Sequence, residues 1–335
     1  MNQNTVLFLK ASKDGNQAQI LKLLLKPDID VNASDEDGMT ALHYAVMHHS
    51  SKVVEQLLRK QNIDANKINN QGKSPLHLAA EYPNKTIIDA LISYLPFNPQ
   101  RSLADWSFLF LAAFKSDNAF MIDALCKRPD LNPTEFTRTT NPVYAASSLG
   151  CIKCLATLLN SHRFPENLFN AHYSPILESV KSSHFNCTKL LFKHTIQKSG
   201  ADSSPLIRHL INDDANGVSS YLSTHPNAVN EHLVFSFHPL HVAVFVSSVK
   251  SAAVLLQCRA DANAEDQFQS SPLFYAASAG NMHIAKMLLQ SPHILPNLQN
   301  SSFDTPLHSA VAHGWTQMTQ LLLADTRTDT FLINA

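Results

Sequence analysis

The residues with most chemical reach in this chain are the pair Cys151-x-x-Cys154 and four histidines set in near-identical phrases. The phrases are TALHYA (His43), SPLHLA (His77), HPLHVA (His241) and TPLHSA (His308). Thiolates bind zinc or exchange disulfides, and imidazoles bind metals or move protons. A zinc site built on the Cys pair would need a second ligand pair at matching spacing, and none is apparent. The recurrence of the histidines argues against a shared ion. Packed helices lie about 8–10 Å apart, whereas zinc ligands sit within about 2.0–2.3 Å of one metal. A Cys/His hydrolase needs a nucleophile, a base within hydrogen-bond reach and a group orienting that base. The 17 histidines fall mostly on separate repeats or in turns, such as His48, His49, His162 and His313. There is no G-x-S-x-G, phosphate loop, H-E-x-x-H or dinucleotide fingerprint. The expectation is therefore no catalytic residue, no metal site and no cofactor.

The elements that carry these residues recur with a fixed period. The apolar residue after each Ser/Thr-Pro or its blurred copy falls at Leu42, Leu76, Leu109, Val143, Ile176, Leu206, Leu240, Leu273 and Leu307. The steps between them are 34, 33, 34, 33, 30, 34, 33 and 34 residues. One further step back reaches Leu9, so about ten units cover nearly the whole chain. Within a unit, a Thr, Ser or Asn two positions before the marker residue can cap a helix. A proline after it suits the first helical residue. Small residues such as Ala45, Ala79 and Ala310 let a neighbouring helix approach, and a second helix carries a Leu-rich face, as in LKLLL and CLATLL. Such helices are too short to hold alone, so stability must come from stacking. By the same ruler Cys154 and Cys187 land on the buried face of the second helix, where cysteine acts as a small hydrophobe.

The T/S-P-L-H-x-A phrase at a 33-residue period, with its Leu-Leu and Asp-x-Asn tail, resembles the ankyrin repeat over essentially the whole chain. The resemblance implies an all-α ankyrin-repeat solenoid of about ten helix-turn-helix units with short hairpin loops. As a single array over 1–335 it divides into an N-terminal capping unit (1–34), repeats (35–195), an irregular repeat (196–232) and further repeats (233–335). It also implies that the imidazoles of His43, His77, His241 and His308 tie loop and cap together. The eight glycines are too few for every loop of ten units.

By the same resemblance, hairpin tips and the ends of first helices form a concave binding face. On it the variable positions are expected to place Tyr82, Trp106, Phe114 and Lys115 in one cluster, and Phe235, Phe237 and Phe245 in another. Exposed aromatic groupings mark contact sites; the alternative is that these aromatics fill gaps between degenerate repeats. Asn32, Asn66 and Asn263, in L-x5-D-V/A-N, resemble the pattern that asparaginyl hydroxylases of eukaryotic cells modify.

The implied function is a non-catalytic scaffold binding another protein. The formal net charge of −1 offers no strong field for nucleic acid or anionic lipid. The apolar stretches are too short or interrupted to span a membrane. Five cysteines without a secretory signal suit a reducing, cytoplasmic compartment, and a monomer is expected. The alternative is a targeting module of a larger enzyme, with activity beyond Ala335. The Asn-, Ser- and His-rich drift leans toward an effector that an intracellular bacterium delivers to host cytoplasm.

Overall fold

Each Ser/Thr-Pro step opens a helix by the route its chemistry dictates. The Ser74 hydroxyl accepts the His77 amide, Thr305 accepts that of His308, and proline occupies the first helical turn of α-helices that are seven residues long. The computed structural model describes residues 2–94, 103–133, 136, 141–164, 174–199 and 204–332. These residues hold twenty α-helices and no strand, with one isolated bridge between Ser34 and Thr40.

Two compact units divide the chain, Met1–Glu166 and Asn167–Ala335. The first contains five helix pairs: α1 (Gln3–Lys13) and α2 (Gln17–Leu23), α3 (Ala41–Met47) and α4 (Ser51–Leu58), α5 (Pro75–Glu81) and α6 (Lys85–Tyr94), α7 (Leu103–Lys115) and α8 (Ala119–Cys126), α9 (Pro142–Ser148) and α10 (Ile152–Ser161). First helices pack on first helices from α1 to α9, and second on second from α2 to α10. The stack buries Leu42, Leu76, Leu109 and Val143 together with Val53, Ile87 and Cys154.

The second unit holds α11 (Pro175–Lys181) and α12 (Phe185–Ser199), α13 (Pro205–Ile211) and α14 (Ala215–Thr224), α15 (Pro239–Phe245) and α16 (Val249–Gln257), α17 (Pro272–Ser278) and α18 (Met282–Leu289), α19 (Pro306–Ala312) and α20 (Thr316–Leu323). From α13 to α20 the same regular stacking holds. The pair α11–α12 is different. The step here is shortened to 30 residues: α12 runs to Ser199 and α13 begins at Pro205. The pair reaches across to α15 and α17, where Phe185 stacks on Phe245 at 6.0 Å and the Ser183 and Ser278 hydroxyls meet at 2.9 Å.

The repeated polar residues hold repeat to repeat. His43 Nδ1 accepts the Thr40 amide at 3.1 Å, which fixes the proton on Nε2, and Nε2 donates to the Lys73 carbonyl of the next repeat at 3.0 Å. His241 makes the same bridge between His238 N–H and the Ser270 carbonyl. Asn32 and Asn263 act likewise in the tails: each side-chain amide donates to one carbonyl of the next repeat (Asn62, His293) and accepts one of its amides (Asp64, Leu295). Hairpins are closed by Asp35, Asn69, Asp266 and Asn300, each accepting two backbone amides on one side-chain oxygen. Where glycine is missing, other residues accept the left-handed backbone: His49, Ser183 and Ser247 occupy the inter-helix turn position that Gly280 and Gly314 fill elsewhere.

Burial lowers the His43 pKa and pushes that of His241 down to about 3, against the carbonyl bonds that favour the charged form. The folded state therefore binds these protons less readily than the unfolded chain. Stability is full above pH 6.5 and is lost as pH falls from there toward about 3. His241 alone should reduce the unfolding free energy by about 2 kcal/mol between pH 7 and 5, where no carboxylate of ordinary pKa titrates. Urea unfolding at pH 7, 6 and 5 reads this directly, and equal midpoints would contradict it.

Candidate functional site

Most of the aromatic positions expected at the surface lie inside the protein. Trp106 and Phe114 are each only 2% exposed, so the expected exposed cluster around them is corrected to core. The reason is local. This repeat has Phe108 where most others have proline, and Phe110 where the Thr40 repeat, which also lacks the proline, has its capping His43; α7 begins at Leu103. Trp106 is thereby a helical residue and not a hairpin one. Phe114 lies 6.0 Å from Phe110, which meets Phe136 and Phe164 edge-on at 5.8 and 5.7 Å. That phenylalanine cluster was not legible in the sequence, because residues 136 and 164 lie outside the helical periodicity.

The second expected cluster is also corrected. Phe237 and Phe245 are buried, their rings edge-on at 4.8 Å, and Phe245 meets Tyr275 at the same distance. Phe185 from the displaced α11–α12 pair stacks on Phe245 and meets Tyr275 edge-on. Phe235 is half-buried, in a left-handed conformation, edge-on to Phe237 at 6.3 Å. Of the expected contact residues, Tyr82 and Lys115 remain at the surface, Tyr82 with its ring edge-on to His49 at 6.4 Å.

The groups with chemical reach are occupied. Cys151 and Cys154 are buried; Cys151 donates to the Phe114 carbonyl, and burial raises its thiol to about 11 and that of Cys154 further still. Thiols held protonated in this way are neither nucleophiles nor metal ligands at neutral pH. Among the described residues no three His, Cys, Asp or Glu side chains converge as metal ligands would, and no helix is long and apolar enough to cross a membrane. Asn32 and Asn263 are half-buried in their bridges; Asn66 is exposed, and the tail of the next repeat that the same spacing would place opposite it falls within 95–102, outside the described residues.

What the surface offers is variety. Hairpin tips present Glu36 and Asp37, Asn70 and Gln71 in the first unit, and Gln267, Ser301 and Ser302 in the second. Tyr82, Leu111, Phe120 and Leu149 in the first unit, and Phe303, Val311 and Trp315 in the second, add exposed apolar area. A family model described as ankyrin repeats (3 copies) matches residues 7–102 and 240–332, more than half of the chain.

The buried aromatics generate a stability expectation. Trp106→Ala and Phe245→Ala should each cost about 3–5 kcal/mol by leaving a cavity. Thermal melting checks this, and an unchanged midpoint for either would place that ring at the surface.

Proposed function

The chain belongs to the ankyrin-repeat family, and from that premise we propose that it is a non-catalytic scaffold binding another protein on the hairpin tips and first-helix ends of its repeats. Repeats of this family are generally protein–protein interaction modules, and proteins built from them are typically non-enzymatic. The observation that supports the proposal is a division of labour. Residues constant from repeat to repeat are engaged in bonds within and between repeats, whereas residues that vary stand exposed at Glu36, Asp37, Asn70, Gln71, Tyr82 and Lys115.

A surface positioned by rigid helix pairs loses little ordering entropy when a partner binds. The scaffold works as a monomer in the cytoplasm, with neither nucleic acid nor membrane as its partner. A formal net charge of −1 supplies no long-range attraction to either, and all five cysteines are free thiols, as a reducing compartment keeps them.

The test uses the full chain and a partner isolated by affinity capture. Tyr82→Ala with Lys115→Glu, and separately Glu36→Lys with Asp37→Lys, should not shift the melting midpoint. One or both pairs should weaken the partner by more than about tenfold. A partner indifferent to both pairs would overturn this placement, and turnover of the partner by the purified chain would overturn the non-catalytic role.

Asn32, Asn66 and Asn263 are proposed as substrates of an asparaginyl hydroxylase in a eukaryotic cell. Co-expression with such an enzyme should add one oxygen to them in peptide mass spectra. No added oxygen on any of the three would remove the proposal.

A further inference from the structure

The last residue of each first helix stands on the strip where partner binding is proposed. In α3, α5 and α9 it is half-buried (Met47, Glu81, Ser148), and in α1, α7, α11 and α19 it is exposed (Lys13, Lys115, Lys181, Ala312). In α15 and α17 it is buried: Phe245 is 1% exposed and Ser278 3%. Those are the two residues that the turn between α11 and α12 touches. The Phe185 ring stacks on Phe245 at 6.0 Å and meets Tyr275 edge-on at 6.2 Å, and the Ser183 and Ser278 hydroxyls lie 2.9 Å apart. Ile211, which ends α13 directly after α12, is buried as well. A position open to solvent in most repeats is thus covered here by another part of the same chain.

The cover has the form of a docked ligand. A tight turn sets one ring against two others and pairs one hydroxyl, while Phe185 itself stays half-buried. Beside it a cavity of about 360 Å³ is left between Lys181, Phe274 and His308. Protein interiors leave few voids larger than a water molecule, so this contact is surface against surface and not a continuation of the core. The stack beneath is complete without it. α13 packs on α15, α15 on α17 and α17 on α19, with α14, α16, α18 and α20 stacked alongside.

We propose that the α11–α12 pair is a latch over the strip of α15 and α17, and that the partner docking there is a protein presenting an aromatic ring with a small hydroxyl side chain two residues before it. That is the pattern of Ser183 and Phe185. With the latch swung off, the partner's ring takes the place of Phe185 against Phe245 and Tyr275, and its hydroxyl that of Ser183 against Ser278. Opening exposes apolar surface, so the closed form predominates in the free protein and lowers the partner's apparent affinity by the open fraction. The assignment rests on the protein-binding reading and adds to it a chemical class of partner and a means of regulation.

The probe is a cyclised peptide copying residues 179–188, with serine in place of Cys187, beside a twin carrying alanine in place of Phe185. Against the wild-type full chain the tethered latch competes at high effective concentration, so the peptide should bind weakly. Phe185→Ala should bind it at least about tenfold more tightly, and should not bind the alanine twin. A second arm does not depend on that variant folding. Ser183→Cys with Ser278→Cys places two thiols within reach of a disulfide. In its reduced form, amides of α11 and α12 should exchange with solvent well before those of α15 and α17; in its oxidised form that early exchange should disappear. The latch is overturned if oxidation leaves the exchange of α11–α12 unchanged, if Phe185→Ala folds and gains no affinity for the peptide, or if the alanine twin binds equally well. A captured partner that binds the oxidised and reduced forms alike, but is lost with the Tyr82 and Lys115 pair, would sink the latch and leave the scaffold standing.

Discussion

One imidazole bridge sets the terms for the rest of this molecule. A histidine at the third position of a first helix, present in four of the ten (His43, His77, His241, His308), can close its own N-cap through Nδ1 and reach the backbone of the following repeat through Nε2–H, as His43 and His241 do. The N-cap amide would otherwise have no hydrogen bond, and an unmet buried group costs about 1–3 kcal/mol; the carbonyls of Lys73 and Ser270, which already accept the Asn69 and Asp266 amides, take the imidazole as a second donor. The bridge can form only if the next helix pair arrives at a fixed distance. It therefore specifies the spacing of the stack while apolar burial supplies most of the stability. The side-chain amides of Asn32 and Asn263 do the same in the tails of their repeats.

That arrangement bears on function by elimination and by exposure. Groups with the reactivity for catalysis are held neutral and engaged: the imidazoles of His43 and His241 by burial against backbone, the thiols of Cys151 and Cys154 by burial in the stack. The side chains left at the surface vary from repeat to repeat, which is the property a recognition surface needs. In the second unit, the displaced α11–α12 pair adds a feature that regular stacking lacks. It takes the aromatic surface of α15 and α17 for the chain's own use, and it walls a cavity of about 360 Å³.

The stack was legible in the sequence because its period is enforced by backbone chemistry: a cap, a proline and a histidine in register. The role of the histidines was legible for the same reason. The surface was not. Placing Trp106 by its distance from Leu109 assumed a hairpin, but this repeat has neither the proline nor the capping histidine that open first helices elsewhere, α7 starts at Leu103, and a helical Trp106 turns inward. Placing Phe237 and Phe245 on an open face assumed that every repeat stacks on its neighbour. The short step between Ile176 and Leu206 signalled an irregularity, but not that Phe185 would stack on Phe245. Local rules propagate along a repeat array, and a single break redirects contacts that no local pattern encodes.

The central claim is that the repeated histidines are struts and not reagents, and nitrogen NMR of the imidazoles tests it most directly. At pH 7 His43 and His241 should be neutral with the proton on Nε2, and His241 should stay so down to pH 5, while His43 should gain a second proton only below the ordinary imidazole midpoint. If either instead gains a proton with a midpoint near the ordinary value of about 6.5, or carries its neutral proton on Nδ1, the bridge is absent and the account of how these repeats are held together is wrong.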